Sequence, residues 1–165
     1  MKLKVFLLVC FAWVYARMPL YAASGFSKAA FYAAMASGDM DKITHELGLV
    51  REAGVNEQQG YTGALLMRQA GLMAKPKDRL KYFKEGRMQF DPAITGDPSN
   101  TEYHFLRLTI QEHTPNVVKY KSNIVQDKEF VIKHYKTQSA VVQQAILEYA
   151  KNSQVLHRED FNFGR

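Results

Sequence analysis

Between Asn56 and Pro115 apolar residues recur at intervals of three, four and seven, and Pro76, Pro92, Pro98 and Pro115 fall where such runs stop. Side chains three, four and seven apart share one face of an α-helix, so this stretch is constrained to consecutive amphipathic helices. Asn56 is placed to accept from the first N–H groups of a helix, with Gln59 as its capping-box partner. Tyr61, Leu65 and Leu72 then share a side with Ala64 beside them. Pro76 suits the first turn of a second helix, whose apolar face is Leu80, Phe83 and Phe90. Asp91-Pro92 is expected to end it, because a residue before proline is pushed out of the α region. After Gly96 and Asp97-Pro98, Ser99-Asn-Thr-Glu102 reads as a capping box for a third helix. Tyr103, Leu106 and Ile110 form its apolar stripe, and Thr114-Pro115 closes it.

The flanking chain follows the same logic. Ser27 can cap a short alanine-rich helix ending at Ser37-Gly38, and Asp39 opens the next, with Met40, Ile43, Leu47 and Val50 on one face and Gly54 after it. Beyond Pro115, Lys119-Tyr120-Lys121 shows no clear period. Asn123 with Gln126 starts a helix carrying Ile124, Val131 and Tyr135. Thr137 starts a last one, with Val141, Val142, Ala145, Ile146 and Tyr149, which stops at Asn152-Ser153. No segment alternates like a strand, so the expected fold is all-α, about seven helices as antiparallel hairpins over residues 25–156, with a short aromatic tail over 157–165.

Two resemblances attach to these residues. Phe90-Asp-Pro and Asp97-Pro-Ser-Asn-Thr-Glu-Tyr103 resemble the join between two tetratricopeptide (TPR) repeats, which implies a TPR-like helical array or irregular bundle. Gly63 to Leu72 and Glu102 to Glu112 resemble an uncharacterised family of small exported bacterial proteins, over roughly Phe26 to Leu156. That second resemblance implies export and carries no activity to any residue.

Residues 1–24 read as a signal peptide. Lys2 and Lys4 precede an apolar run from Val5 to Ala16, shorter than the ~20 residues a spanning helix needs, and Ala22-Ala-Ser24 offers small residues for cleavage. Leu8-Val9-Cys10 lacks the small residue of a lipidation site before its cysteine. Cys10 is the single cysteine, so a processed chain would have no disulfide or thiol chemistry. Removing Lys2, Lys4 and Arg17 without any acid would lower the formal charge from +6 to +3, a mild basicity that points to solubility rather than to nucleic acid. The expected location is periplasmic or extracellular.

Recognisable chemistry is sparse. His45-Glu46 begins like a zincin motif, but Leu49 stands where the second histidine belongs. His104 and His113 lack a third ligand at metal spacing, and Gly25-Phe-Ser-Lys-Ala is only a distant approach to a nucleophile elbow. Gly60, Gly63 and Gly71 are scattered through a helix and form no phosphate loop, while Asp91 and Asp97 suit helix ends better than acid–base work with Glu85. No catalytic residue, metal or cofactor is expected.

Two surfaces are candidates for binding. His104, Arg107 and Gln111 form a polar stripe opposite Tyr103, Leu106 and Ile110. With Arg68 from a neighbouring first helix and Tyr103 as an aromatic wall, they are expected to make a groove for an acidic or C-terminal peptide. The competing reading pairs Arg107 internally with Glu112 or Glu102. Lys77, Lys81 and Lys84 share a flank away from Phe83 and Phe90, which is either a solvated face or an attraction to anionic surfaces. The expected role is a non-catalytic binding or scaffold module with an envelope protein or peptide as partner. An enzyme with an unrecognised site, or a membrane-surface protein using the basic face, is the alternative.

Overall fold

The computed structural model describes residues 25–161, so the signal-peptide expectation for 1–24 and the last four tail residues lie outside the described residues. Seven α-helices follow one another: α1 Lys28–Ser37, α2 Met40–Glu52, α3 Gln58–Leu72, α4 Pro76–Gly96, α5 Thr101–His113, α6 Ile124–His134 and α7 Ala140–Tyr149. There is no strand among the described residues, and the fold is all-α.

The first boundaries follow the capping chemistry. Ser27 Oγ accepts from the Ala30 N–H at 3.1 Å, and Gly38 ends α1 at φ 63°, a left-handed conformation that glycine adopts without a Cβ penalty. Asp39 Oδ1 accepts from the N–H groups of Asp41 and Lys42 at 2.9 and 3.3 Å. Pro76 stands at the start of α4 as expected.

Other boundaries move. The residue capping α3 is Glu57, with no side-chain bond, rather than Asn56. Asn100, not Ser99, caps α5 by accepting from the Tyr103 N–H at 3.2 Å, which leaves Glu102 to turn inward. Helix α7 begins at Ala140, and Thr137 belongs to the 3-10 turn before it. The largest correction is at Asp91-Pro92, where α4 runs on to Gly96. Pro92 lies on the exposed side of the helix, so the Met88 carbonyl that loses its N–H donor faces water. Ile94 on the opposite side is buried and holds the continuation in place.

Helix α3 is the axis of the molecule. Gly60 through Met67 are all buried, so it is covered on every side rather than along one stripe. Helix α4 runs antiparallel along it: Gly63 lies against Gly86 and Phe90, Met67 against Gly86, and Arg79 donates to the carbonyl of Met73 near the turn. Here two backbones meet with no side chain between them. A Cβ at Gly63 would stand 2.6 Å from the Phe90 nitrogen and 2.7 Å from the Gly86 oxygen. Leu80, read from its spacing as a core residue of this helix, is 51% exposed, because Gly86 rather than Leu80 occupies the contact face with Phe83 and Phe90.

Helix α5 crosses the start of α3, where Tyr103 covers Gly60 and packs edge-on against Phe90 at 6.0 Å. Helix α6 lies antiparallel on α5, and α7 returns to the α1 side, with Tyr149 edge-on to Phe105 at 5.7 Å. The aperiodic link after α5 is anchored by Tyr120, which meets Phe83 edge-on at 5.4 Å and donates to Asp91 Oδ1 at 2.7 Å. The start of the tail docks: Phe161 is buried against Tyr135, ring centroids 4.7 Å apart.

Candidate functional site

Because α3 is flanked by α2 and α4, the line where these two helices fail to meet over it becomes a trough. Two neighbouring hollows of about 420 and 440 Å³ lie along α3, with Arg51 and Leu66 lining both. At one end Met40, Thr44 and Leu47 of α2 face Tyr82 and Glu85 of α4, with Gln69 between them. At the other, Asn56, Gln58, Gln59 and Thr62 face Gln89. The lining is rich in amides and hydroxyls, groups that each donate and accept.

Gln69 is the unusual member. It is only 4% exposed; its Nε2 donates to Thr44 Oγ1 at 2.8 Å, and that hydroxyl donates to the Met40 carbonyl at 2.8 Å. Its Oε1 has no hydrogen-bond partner. An unpaired buried carbonyl of this kind costs about 1–3 kcal/mol.

The residues expected to form a peptide groove are placed elsewhere. Arg68 donates through Nε to the Met35 carbonyl at 2.8 Å, capping the end of α1, where the helix dipole favours a cation. Burial lowers the affinity of its guanidinium for a proton, opposed by the nearby Tyr149. Arg107 points instead into the α5–α6 interface. There Asp127, 0% exposed, accepts from Arg107 Nε and Nη2 at 2.7 and 2.6 Å and from His104 Nδ1 at 2.7 Å. The partner of Arg107 is therefore Asp127 and neither Glu112 nor Glu102. His104 Nε2 donates to the Pro98 carbonyl at 2.9 Å, and its ring stacks on Phe130 at 3.9 Å. Gln111 is buried and reaches Asn123 at 3.4 Å, and Tyr103 is buried against Phe90. In place of an open groove across Arg68 and Arg107 stand two separate internal anchors. Lys77, Lys81 and Lys84 do lie exposed on α4, with Lys81 4.0 Å from Glu85.

Two more carboxylates are saturated by the fold. Glu102 accepts from Lys28 Nζ at 2.5 Å, Tyr61 at 2.5 Å and Tyr32 at 3.0 Å. Burial first, and then the Glu102 charge, push both phenols well above their usual range, so they serve as neutral donors. Glu112 accepts from Tyr149 and Ser153, each at 2.7 Å, and from the Gln154 N–H at 2.6 Å. Burial opposes ionisation of Glu112, but these three donors outweigh it and hold its carboxyl below the usual value. Among the described residues no group of three or more His, Cys, Asp and Glu side chains is placed to hold a metal ion.

Glu46 is different. It is buried, its Oε1 has no partner, and desolvation raises its pKa against the smaller pull of His45. A raised folded-state pKa gives stability that is present below the unfolded value and is lost as pH rises through the folded one. Glu46→Met is therefore expected to raise the melting temperature at pH 7, with the gain shrinking toward pH 4. Thermal unfolding at both pH values checks this, and an equal effect at both would show that ionisation is not the cause.

No family model, no curated protein and no solved structure matches this chain. Thr44, Gln69, Gln89 and Arg51 were not singled out from the sequence. Thr44, Arg51 and Gln89 sit on helices whose apolar face is elsewhere, Gln69 sits on one covered all round, and the trough exists only once α2, α3 and α4 are assembled.

Proposed function

We propose that this chain is an exported, non-catalytic helical binding module that takes an extended polypeptide segment in the trough along α3. The observation that supports this most is the set of amides and hydroxyls lining the two neighbouring hollows, from Thr44 and Gln69 to Gln58, Gln59 and Gln89. A peptide backbone alternates donors and acceptors, and amide side chains supply both, so such a lining suits main-chain capture with little demand on sequence. The unpaired Gln69 oxygen adds a specific acceptor for a ligand N–H. Gln69 is buried, so engagement requires a side-chain shift at the rim, where the unbranched Met40 and Met73 can adapt. The succession of antiparallel pairs α1/α2, α3/α4 and α5/α6 is in keeping with a short TPR-like array, and the Lys2–Ser24 pattern with action in the periplasm or outside the cell. An envelope protein or peptide is the partner class that fits.

Filling the trough tests this. Thr44 and Gln89 are exposed on opposite walls. Thr44→Trp with Gln89→Trp should lower the melting temperature only by what Thr44→Val alone costs through the lost Gln69 bond, and should weaken binding of a fluorescently labelled, unfolded polypeptide by about tenfold or more in anisotropy titrations. Equal affinity for the filled and open forms, or no binding by the unaltered chain, would reject the reading.

A further inference from the structure

We propose that the outward face of α4 docks on an anionic lipid bilayer, with Lys77, Lys81 and Lys84 meeting the head groups and Leu80 and Met88 entering the interface. At about 100° per residue, Lys84, Lys77, Met88 and Lys81 fall in that order within roughly a sixth of the helix circumference, with Leu80 beside them. The buried Phe83, Gly86, Phe90 and Ile94 occupy the far side. The acids of α4 are set aside from this face: Asp78 and Glu85 stand beyond its edge, Glu85 beside Lys81, and Asp91 is already held by Arg87 and Tyr120.

The two apolar residues decide the occupant. Leu80 is 51% and Met88 74% exposed, on a helix whose contact face is already filled. A soluble polyanion would use the lysines and leave both side chains in water. A bilayer uses both, since an interfacial helix joins basic residues to apolar ones that sink below the head groups. No helix among the described residues is long and apolar enough to cross a membrane, so contact is by lying on the surface. The trough wall formed by Tyr82, Glu85 and Gln89 is on the adjoining flank of α4 and stays open.

The test places a reporter in the face. In the full chain with Trp13→Phe, which removes the single tryptophan, Met88→Trp is compared with Val125→Trp, at a position on α6 that is 71% exposed. With equimolar phosphatidylglycerol and phosphatidylcholine vesicles at low salt, emission from position 88 should move to the blue and become shielded from acrylamide, while position 125 stays unchanged. Adding Lys77→Glu, Lys81→Glu and Lys84→Glu should raise the lipid needed for half the shift by about a hundredfold, at roughly fivefold per lysine. The melting temperature should stay within about 2 °C. No shift at position 88, an equal shift on pure phosphatidylcholine, an equal shift at position 125, or the same shift with polyphosphate and no lipid would each overturn the proposal.

Discussion

Gly63→Ala is expected to cost the fold about 3 kcal/mol or more, at the upper end of what overpacking does to a filled interior. Elsewhere in a helix the same change helps, because alanine is the better helix former by about 1 kcal/mol. At Gly63 the added carbon would stand 2.6 Å from the Phe90 nitrogen, 2.7 Å from the Gly86 oxygen and 2.8 Å from the Phe90 Cβ. None of these atoms is the end of a flexible side chain, so α3 and α4 must part along the crossing. That would loosen Met67 over Gly86 and the burial of Phe83 and Phe90 with it. Gly48 is the internal control. It lies within α2, exposed, with nothing inside 4 Å of an added Cβ, and Gly48→Ala should stabilise by about 0.5–1 kcal/mol. Urea unfolding of the two variants beside the parent decides the matter. A Gly63→Ala midpoint at or above that of the parent would mean the helices are not in backbone contact there.

The same glycines show what the sequence could and could not disclose. Helical periodicity reports contrast between faces, and where one face was buried and the other wet it placed the residues well: Ile43, Leu47 and Val50 on α2, and Val142 and Ile146 on α7, are all in the core. Helices α3 and α5 break the premise of that method. They are covered nearly all round, so a polar residue on them does not mark a solvent face. His104 and Gln111 stand opposite Leu106 as the spacing says, yet they are buried, because α6 covers that side and brings Asp127 with it. Asp127 is 20 residues beyond Arg107 in the chain, and no local pattern joins the two. Leu80 errs in the other direction: its spacing was right for a stripe, but a glycine contact at position 86 turned the packed face away from it. Glycine carries no hydrophobic signal, so the backbone contact of α3 with α4 was silent in the periodicity. The trough was equally silent, being a gap between three helices rather than a motif on any one.

The second large effect is expected at that hidden carboxylate. Asp127→Ala should destabilise by about 3–5 kcal/mol, because removing one member of a buried ionic group leaves the others without compensation. Asp127 holds Arg107 through two bonds and His104 through a third. His104 faces acceptors on both ring nitrogens, Asp127 on one side and the Pro98 carbonyl on the other. Without Asp127 the imidazole and guanidinium would face each other in the α5–α6 interface with no anion between them. A peptide-binding role for Arg107 would leave stability untouched when it is truncated, whereas an anchoring role makes Arg107→Ala destabilising too, since it strips Asp127 of two donors. The double variant Asp127→Ala/Arg107→Ala separates the alternatives. If the two side chains act on each other, the double variant should lose clearly less than the sum of the single losses, because the second removal deletes a charge already orphaned by the first. Chemical denaturation of the four proteins gives the coupling directly. Strict additivity, or an Arg107→Ala variant as stable as the parent, would return Arg107 to the surface and reopen the α5 stripe as a place where a ligand binds.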